Sequence, residues 1–242
     1  ADLAERIRLR LAASLLAKGN VAAALTQAEA VAKNPKTPFA AEARYLVGEA
    51  RIAKKDWAKA IEQLAPFRDQ VPLQNVPGIG DRALLRLGQA YAEAGQWDPS
   101  RQAFEILRQR FPQSPWFDEA LYGIGWAWQS QKQHDNAVGT YVQVTRRTAA
   151  EVAARAQLQI GLCRLEQNKV DEALQALLAV PMTYDYPDLS AAAWCEAARA
   201  YVAKKQPAEA TGLLQKVVKD HPKSPWAEVA RKRLAEIGKG TG

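Results

Sequence analysis

The stretch Gly125–Ala137, GWAWQSQKQHDNA, decides the fold. It carries the end of one amphipathic segment through a short polar turn, Lys132-Gln133, into the start of the next, with a small residue at each end. The same pair of small residues recurs as Ala12/Ala24, Gly48/Ala60, Gly88/Ser100, Gly161/Ala173 and Ala198/Ala210. The second member of each pair recurs at intervals of 36, 40, 37, 36 and 37 residues. A period of this length marks stacked supersecondary units, none of which can bury its apolar face alone.

A further small column lies two residues after the first: Ser14, Ala50, Ala90, Ala127, Cys163, Ala200. Four of the recurring small residues are glycines inside helical patterns, where each costs about 1 kcal/mol against alanine. Their repetition therefore predicts close helix–helix approach. Large apolar residues fill the remaining interior columns. These read Leu11, Val47, Leu87, Ile124, Ile160, Ala197 in the first helices, then Ala28, Leu64, Phe104, Tyr141, Leu177, Leu214 in the second. A last column reads Val31, Phe67, Leu107, Val144, Val180, Val217. Offsets of three and four residues make both segments amphipathic helices. The polar turns are Lys18-Gly19-Asn20, Lys54-Lys55-Asp56, Ala94-Gly95-Gln96, Lys132-Gln133, Asn168-Lys169 and Lys205-Gln206.

Small-residue columns in both helices, a turn between them and closing prolines at Pro72, Pro112 and Pro222 resemble the tetratricopeptide repeat. The resemblance implies an all-α, right-handed α-α superhelical solenoid. Six repeats are expected at 4–36, 40–72, 80–112, 117–149, 153–186 and 190–222, with a capping helix over 225–237. They form a single domain over 1–238, followed by a tail over 239–242. A second signature, Pro-x-Ser/Thr-Pro, recurs at Pro35–Pro38, Pro112–Pro115 and Pro222–Pro225. There the hydroxyl residue caps the next helix and proline takes its first position, where no backbone donor is missed. This junction resembles that of bacterial cell-envelope repeat proteins, such as the periplasmic partner of the Tol-Pal system and the outer-membrane assembly lipoproteins. The likeness implies a periplasmic or envelope location, with the cytoplasm as the alternative. Asp2 with Glu5 reads as a capping box for the first helix. The interval Leu73–Gly80, with four extra residues and Pro77, Gly78 and Gly80, is expected to bend or protrude.

Composition bounds the chemistry. No apolar run reaches the roughly 18 residues of a membrane span. The two cysteines, Cys163 and Cys195, are too few for a disulfide scaffold. Of the net charge of +7, the segment from Arg199 onward holds +6, ten Lys/Arg against four acids. His134 and His221 read as solvated loop residues, Cys163 as buried and inert, and Cys195 as facing the groove. Trp57, Trp97, Trp128 and Trp194 read as core or junction packing. No phosphate-binding, zinc, triad or dinucleotide motif is present, so neither an enzyme nor a cofactor or metal site is expected. Val76-Pro-Gly-Ile-Gly80 also matches the hairpin of helix-hairpin-helix DNA-binding modules, but its downstream spacing fits an elongated junction better.

The resemblance places a ligand surface on the concave side, lined by the first helices. The expected partner-binding residues are Tyr45, Arg82, Gln89, Tyr122, Trp126, Arg155 and Arg199, with Arg6, Leu9, Glu42, Glu49, Leu85, Glu119 and Leu158 on the same surface. Tyr122 and Trp126, one helical turn apart, form an exposed aromatic pair flanked by Arg82 and Arg155, the residue types that dominate hot spots. Packing of this pair against neighbouring helices is the competing reading. Arg82 and Arg86 suit one part of the family's carboxylate clamp, but Leu9, Ala13 and Leu46 occupy the others. The expected function is a scaffold or adaptor for a protein or peptide partner. A nucleic-acid or anionic-surface role of the basic C-terminal repeat is the alternative. A further alternative is that the chain, which starts at Ala1, is a processed or excised segment of a larger protein.

Overall fold

The computed structural model describes residues 2–240, and within them all regular structure is helical: fourteen helices and no strand. The chain divides into two compact units, Ala1–Ala127 and Trp128–Gly242. The first holds the helix pairs α1 (Asp2–Ala17) with α2 (Val21–Ala32), α3 (Ala40–Ala53) with α4 (Trp57–Asp69), and α6 (Gly80–Glu93) with α7 (Trp97–Arg110). It also contains the short α5 (Val71–Gln74) and most of α8 (Phe117–Ser130). The second holds the end of α8 and α9 (His134–Arg147), then α10 (Glu151–Glu166) with α11 (Val170–Thr183), and α12 (Pro187–Ala203) with α13 (Pro207–Asp220). A single helix, α14 (Pro225–Gly240), follows. It runs past the expected end at residue 237, and the last two residues of the expected tail lie outside the described residues.

The repeating columns are the cores. Leu64, Phe67, Phe104 and Leu107 are fully or almost fully buried in the first unit, as are Tyr141, Val144, Leu177, Val180, Leu214 and Val217 in the second. The glycines mark where first helices press on second helices. A Cβ on Gly48 would lie 2.7 Å from the Leu64 side chain, and one on Gly161 would lie 2.5 Å from Leu177. Leu11 departs from its column: Val47 and Leu87 are buried, but Leu11 is exposed, because no described helix packs on that face of α1.

Each turn between paired helices holds one residue in the left-handed region. These are Gly19, Lys55, Gly95, Lys132, Asn168 and Lys205, with φ between 56° and 75°. The turn bonds match throughout. In the first, the Gly19 amide donates to the Leu16 carbonyl and the Asn20 amide to the Leu15 carbonyl, closing the helix end. The same geometry recurs with lysine because the αL penalty, roughly 1–2 kcal/mol, is tolerated at a single position.

The Pro-x-Ser/Thr-Pro junctions do more than cap. Thr37 Oγ1, Ser114 Oγ and Ser224 Oγ accept the amides of Phe39, Trp116 and Trp226. Proline opens α14 but precedes α3 and α8 by two residues. In the first unit the same hydroxyls also donate backwards, Thr37 to Glu5 Oε2 at 2.7 Å and Ser114 to Asp81 Oδ2 at 2.6 Å. Each junction is thereby tied to the first turn of its own repeat. Glu5, expected to cap the start of its own helix, also accepts from Asn34 Nδ2 at 2.6 Å, so both of its oxygens hold the junction.

These hydrogen bonds, Asn34 first and Thr37 second, hold the Glu5 carboxyl below the usual carboxylate range. Its stabilising contribution is therefore present above the unfolded-state pKa and is lost as pH falls through the depressed native value. Glu5→Gln is expected to lower the melting temperature at neutral pH. Once acid protonates the native carboxylate as well, the gap from wild type should narrow. A gap that stays constant with pH would show that the carboxylate charge contributes nothing.

The expected loop at Leu73–Gly80 is shorter than anticipated because α5 opens it. Gln74 is buried there and donates through Nε2 to the Arg68 carbonyl at 2.9 Å. Gly80 starts α6 against the Gln74 backbone, where a Cβ would fall 1.9 Å from that carbonyl oxygen. The amides of Ile79 and Gly80 both donate to the Val76 carbonyl.

Candidate partner-binding surface

In the first unit, α3 and α6 bring together Tyr45, Glu49, Arg82, Arg86 and Gln89. The Arg82 guanidinium lies 5.5 Å from the centroid of the Tyr45 ring, a cation–π arrangement. Arg86 grips Glu49 with two contacts, Nε to Oε1 at 2.8 Å and Nη2 to Oε2 at 3.1 Å, and donates from Nη1 to Gln89 Oε1 at 3.0 Å. One of the two contacts, Nη2 to Oε2, is a hydrogen bond, and the Nε contact is an ion pair alone. An arginine already paired this way is poorly placed to clamp an incoming carboxylate, so the clamp weakens further at Arg86. Tyr45 itself is buried, and burial pushes its phenol pKa up; Glu49 adds to this, while Arg82 and Arg86 oppose it.

On α8, Tyr122 and Trp126 meet edge to face, with centroids 6.3 Å apart and planes at 72°. They are not an exposed pair. Trp126 is 47% exposed, whereas Tyr122 is buried and supports it from below. An aromatic braced in this geometry contributes area at little entropic cost. Among the surface residues projected from the repeat frame, Leu9, Leu85 and Leu158 are also buried, and Glu42, Glu49 and Glu119 are half-buried. Arg6 and Arg82 are exposed. In the second unit, Arg155 is half-buried on α10, and Arg199 on α12 is exposed, pairing with Glu196 Oε2 at 3.0 Å.

Cys195 does not face a groove. It is fully buried, its thiol donates to the Trp226 carbonyl at 3.7 Å, and burial pushes its pKa up to about 11. Cys163 is equally buried and pushed up to about 12. Both are far from the thiolate that cysteine chemistry requires. Both histidines are half-buried rather than solvated, although His221 does lie in the loop between α13 and α14. His134 begins α9, half-buried, with Nε2 3.4 Å from Glu166 Oε2. His221 lies 5.4 Å from the Trp194 ring, which also carries Lys216 Nζ at 4.8 Å. Trp57, Trp97, Trp128 and Trp194 are all half-buried. Among the described residues no helix is long and apolar enough to cross a membrane.

Sequence reasoning missed the buried acid Glu196. Arg233 of α14 reaches it from Nη2 at 2.9 Å and donates from Nη1 to the Cys195 carbonyl at 2.6 Å. The two residues occupy the same column one repeat apart, but that column reads Arg10, Leu46, Arg86, Gly123, Gln159, Glu196, Arg233, so its chemistry does not repeat and gave no signal for the pairing.

Paired antiparallel helices, glycines at their closest approach and a left-handed turn residue in each pair define a helical-hairpin repeat protein. The chain belongs to the tetratricopeptide repeat family. One family model, described as Tetratricopeptide repeat, matches residues 9–69 and 122–188, and a second with the same description matches 82–114 and 193–224. No curated protein matches the sequence. Solved structures agree on the fold. The crystal structure of MamA is 20% identical with a TM-score of 0.61, over 73% of this chain and 95% of MamA. The Pseudomonas aeruginosa protein pilF is 14% identical with a TM-score of 0.66, over 96% and 98%. YrrB, described as a TPR protein with an unusual peptide-binding site, is 18% identical with a TM-score of 0.56, over 84% and 96%.

Proposed function

We propose that the chain is a scaffold that captures a protein or peptide partner on the surface of its first helices, with Trp126 as the anchor. The observation that carries this reading is a tryptophan half in solvent, braced by a buried tyrosine, on a helix whose other apolar residues are covered. Tyr45 with Arg82 and Gln89 supply a second, polar contact region in the same unit. Arg155 and Arg199 are contacts of the second unit. The peptide-binding description of YrrB supports a peptide or extended segment as ligand. The Pro-x-Ser/Thr-Pro junctions favour a bacterial envelope setting. Half-buried aromatics and arginines with a preset geometry lose little freedom on binding, which suits them to this role.

Partners captured by the wild-type chain and measured by titration are expected to lose at least about 2 kcal/mol of affinity with Trp126→Ala, the scale of a hot-spot truncation. Far-UV circular dichroism and melting temperature should stay unchanged. Retained affinity would remove Trp126 from the site, and loss of helicity would make it a core residue.

A further inference from the structure

We propose that the exposed face of α1 is a docking site for an acidic amphipathic helix, separate from the surface around Trp126. Leu3, Ile7 and Leu11 stand 72%, 58% and 45% exposed at i, i+4 and i+8, so they form one continuous apolar ridge. The other large exposed apolar residues, Val71, Trp126, Met182 and Val202, lie on different elements.

The register of this ridge identifies its occupant as a helix. The equivalent residues of the next first helix are Phe39, Ala43 and Val47, and those of α6 are Ile79, Ala83 and Leu87. Ala43, Val47, Ala83 and Leu87 are buried in the core shared with α1 and α2 or with α3 and α4, so this face receives helices wherever it is covered. Ile7 occupies the column that is alanine in α3 and α6. Its bulk enlarges the apolar ridge and requires a small residue opposite it. By contrast, the lone α14 shows Glu228, Arg231 and Ala235 to solvent where its own second helix would pack, a polar finish rather than a sticky one.

Charge selects the sign of the partner. Arg6, Arg8 and Arg10 are exposed on α1, and Lys18 follows it. Of the two acids on the helix, Glu5 is already held by Asn34 and Thr37, leaving Asp2. A second copy of α1 laid on the ridge would bring the same arginines against these. A helix with glutamates beside a leucine stripe neutralises them. An interaction of this kind combines apolar burial with charge complementarity that sets specificity.

The test uses the full chain and two designed alanine-rich helical peptides with the same leucine stripe, one flanked by glutamates and one by lysines, titrated by fluorescence anisotropy. The expected result is roughly tenfold or greater preference for the glutamate peptide, weakening with salt. Ile7→Asp, at an exposed position that leaves the fold intact, should abolish binding, and Arg6→Glu with Arg10→Glu should reverse the preference. Equal binding of both peptides, or binding untouched by Ile7→Asp, overturns the proposal. So do two other outcomes: Ile7-dependent binding to phosphatidylglycerol vesicles without peptide binding, and Ile7-dependent self-association in sedimentation.

Discussion

Gly88→Leu is expected to destabilise the first unit by about 1–3 kcal/mol or more, the range for overpacking a core. The geometry of Phe104 explains why relaxation cannot absorb the insertion. A Cβ at Gly88 would lie 2.5 Å from Cε1 of the Phe104 ring, and one at Gly123 would lie 2.4 Å from Cε2 on its other edge. The ring is thus held between glycines of α6 and α8, and moving away from one helix drives it into the other. Ser100 adds a hydrogen bond across the same contact, donating to the Gly88 carbonyl at 2.8 Å.

At Gly48 the neighbour is Leu64, whose rotamers give some room, so Gly48→Ala should cost less than Gly88→Ala. Gly139 supplies the control: it sits inside α9 with nothing within 4 Å of an added Cβ. Gly139→Ala should stabilise by up to about 1 kcal/mol through helix propensity alone. One substitution type thus has opposite signs at two helical glycines, measured by urea unfolding followed by circular dichroism. Equal effects at Gly88 and Gly139 would mean that the glycine column reflects composition rather than close approach.

The legibility of this fold follows from the same contacts. Each core position touches the same kind of neighbour in every repeat, so selection writes it as a column, and Gly48, Gly88 and Gly161 could be read as contact points from sequence. The left-handed turn residues share that register. What the period cannot carry is depth. Tyr45, Leu85, Tyr122 and Leu158 lie on the face expected to bind ligand, yet they are buried. Whether a residue on that face reaches solvent depends on the size of residues one repeat away, which varies without period. The ends of the stack were illegible for a related reason. Leu11 fits its column perfectly and is exposed, because a column records what a position is suited to touch and not whether a partner is there. The pairing of Arg233 with Glu196 occurs once and leaves no periodic trace.

Arg233→Ala should cost the second unit about 3 kcal/mol, the lower end of the range for breaking a buried ion pair. Glu196 is almost completely buried in α12 and holds two guanidinium partners, Arg233 from α14 and Arg199 from its own helix. Removing Arg233 leaves the carboxylate with the more exposed arginine only, and strips the Cys195 carbonyl of its 2.6 Å donor. Retention of Arg199 keeps the loss from reaching the upper end. Because Arg233 ties α14 to α12 while Ala227, Ala230 and Leu234 supply its apolar contact, the loss should appear first as opening of α14. Hydrogen exchange is the direct readout: α14 amides should lose protection by roughly a hundredfold or more, with α10 and α11 little changed. Pairing Arg233→Met with Glu196→Met separates the two causes. If the cost is the stranded charge, the double variant recovers most of the protection, since an apolar pair of similar volume replaces the buried ions. If the double variant is as labile as the single one, the hydrogen bond to Cys195 is what anchors the helix.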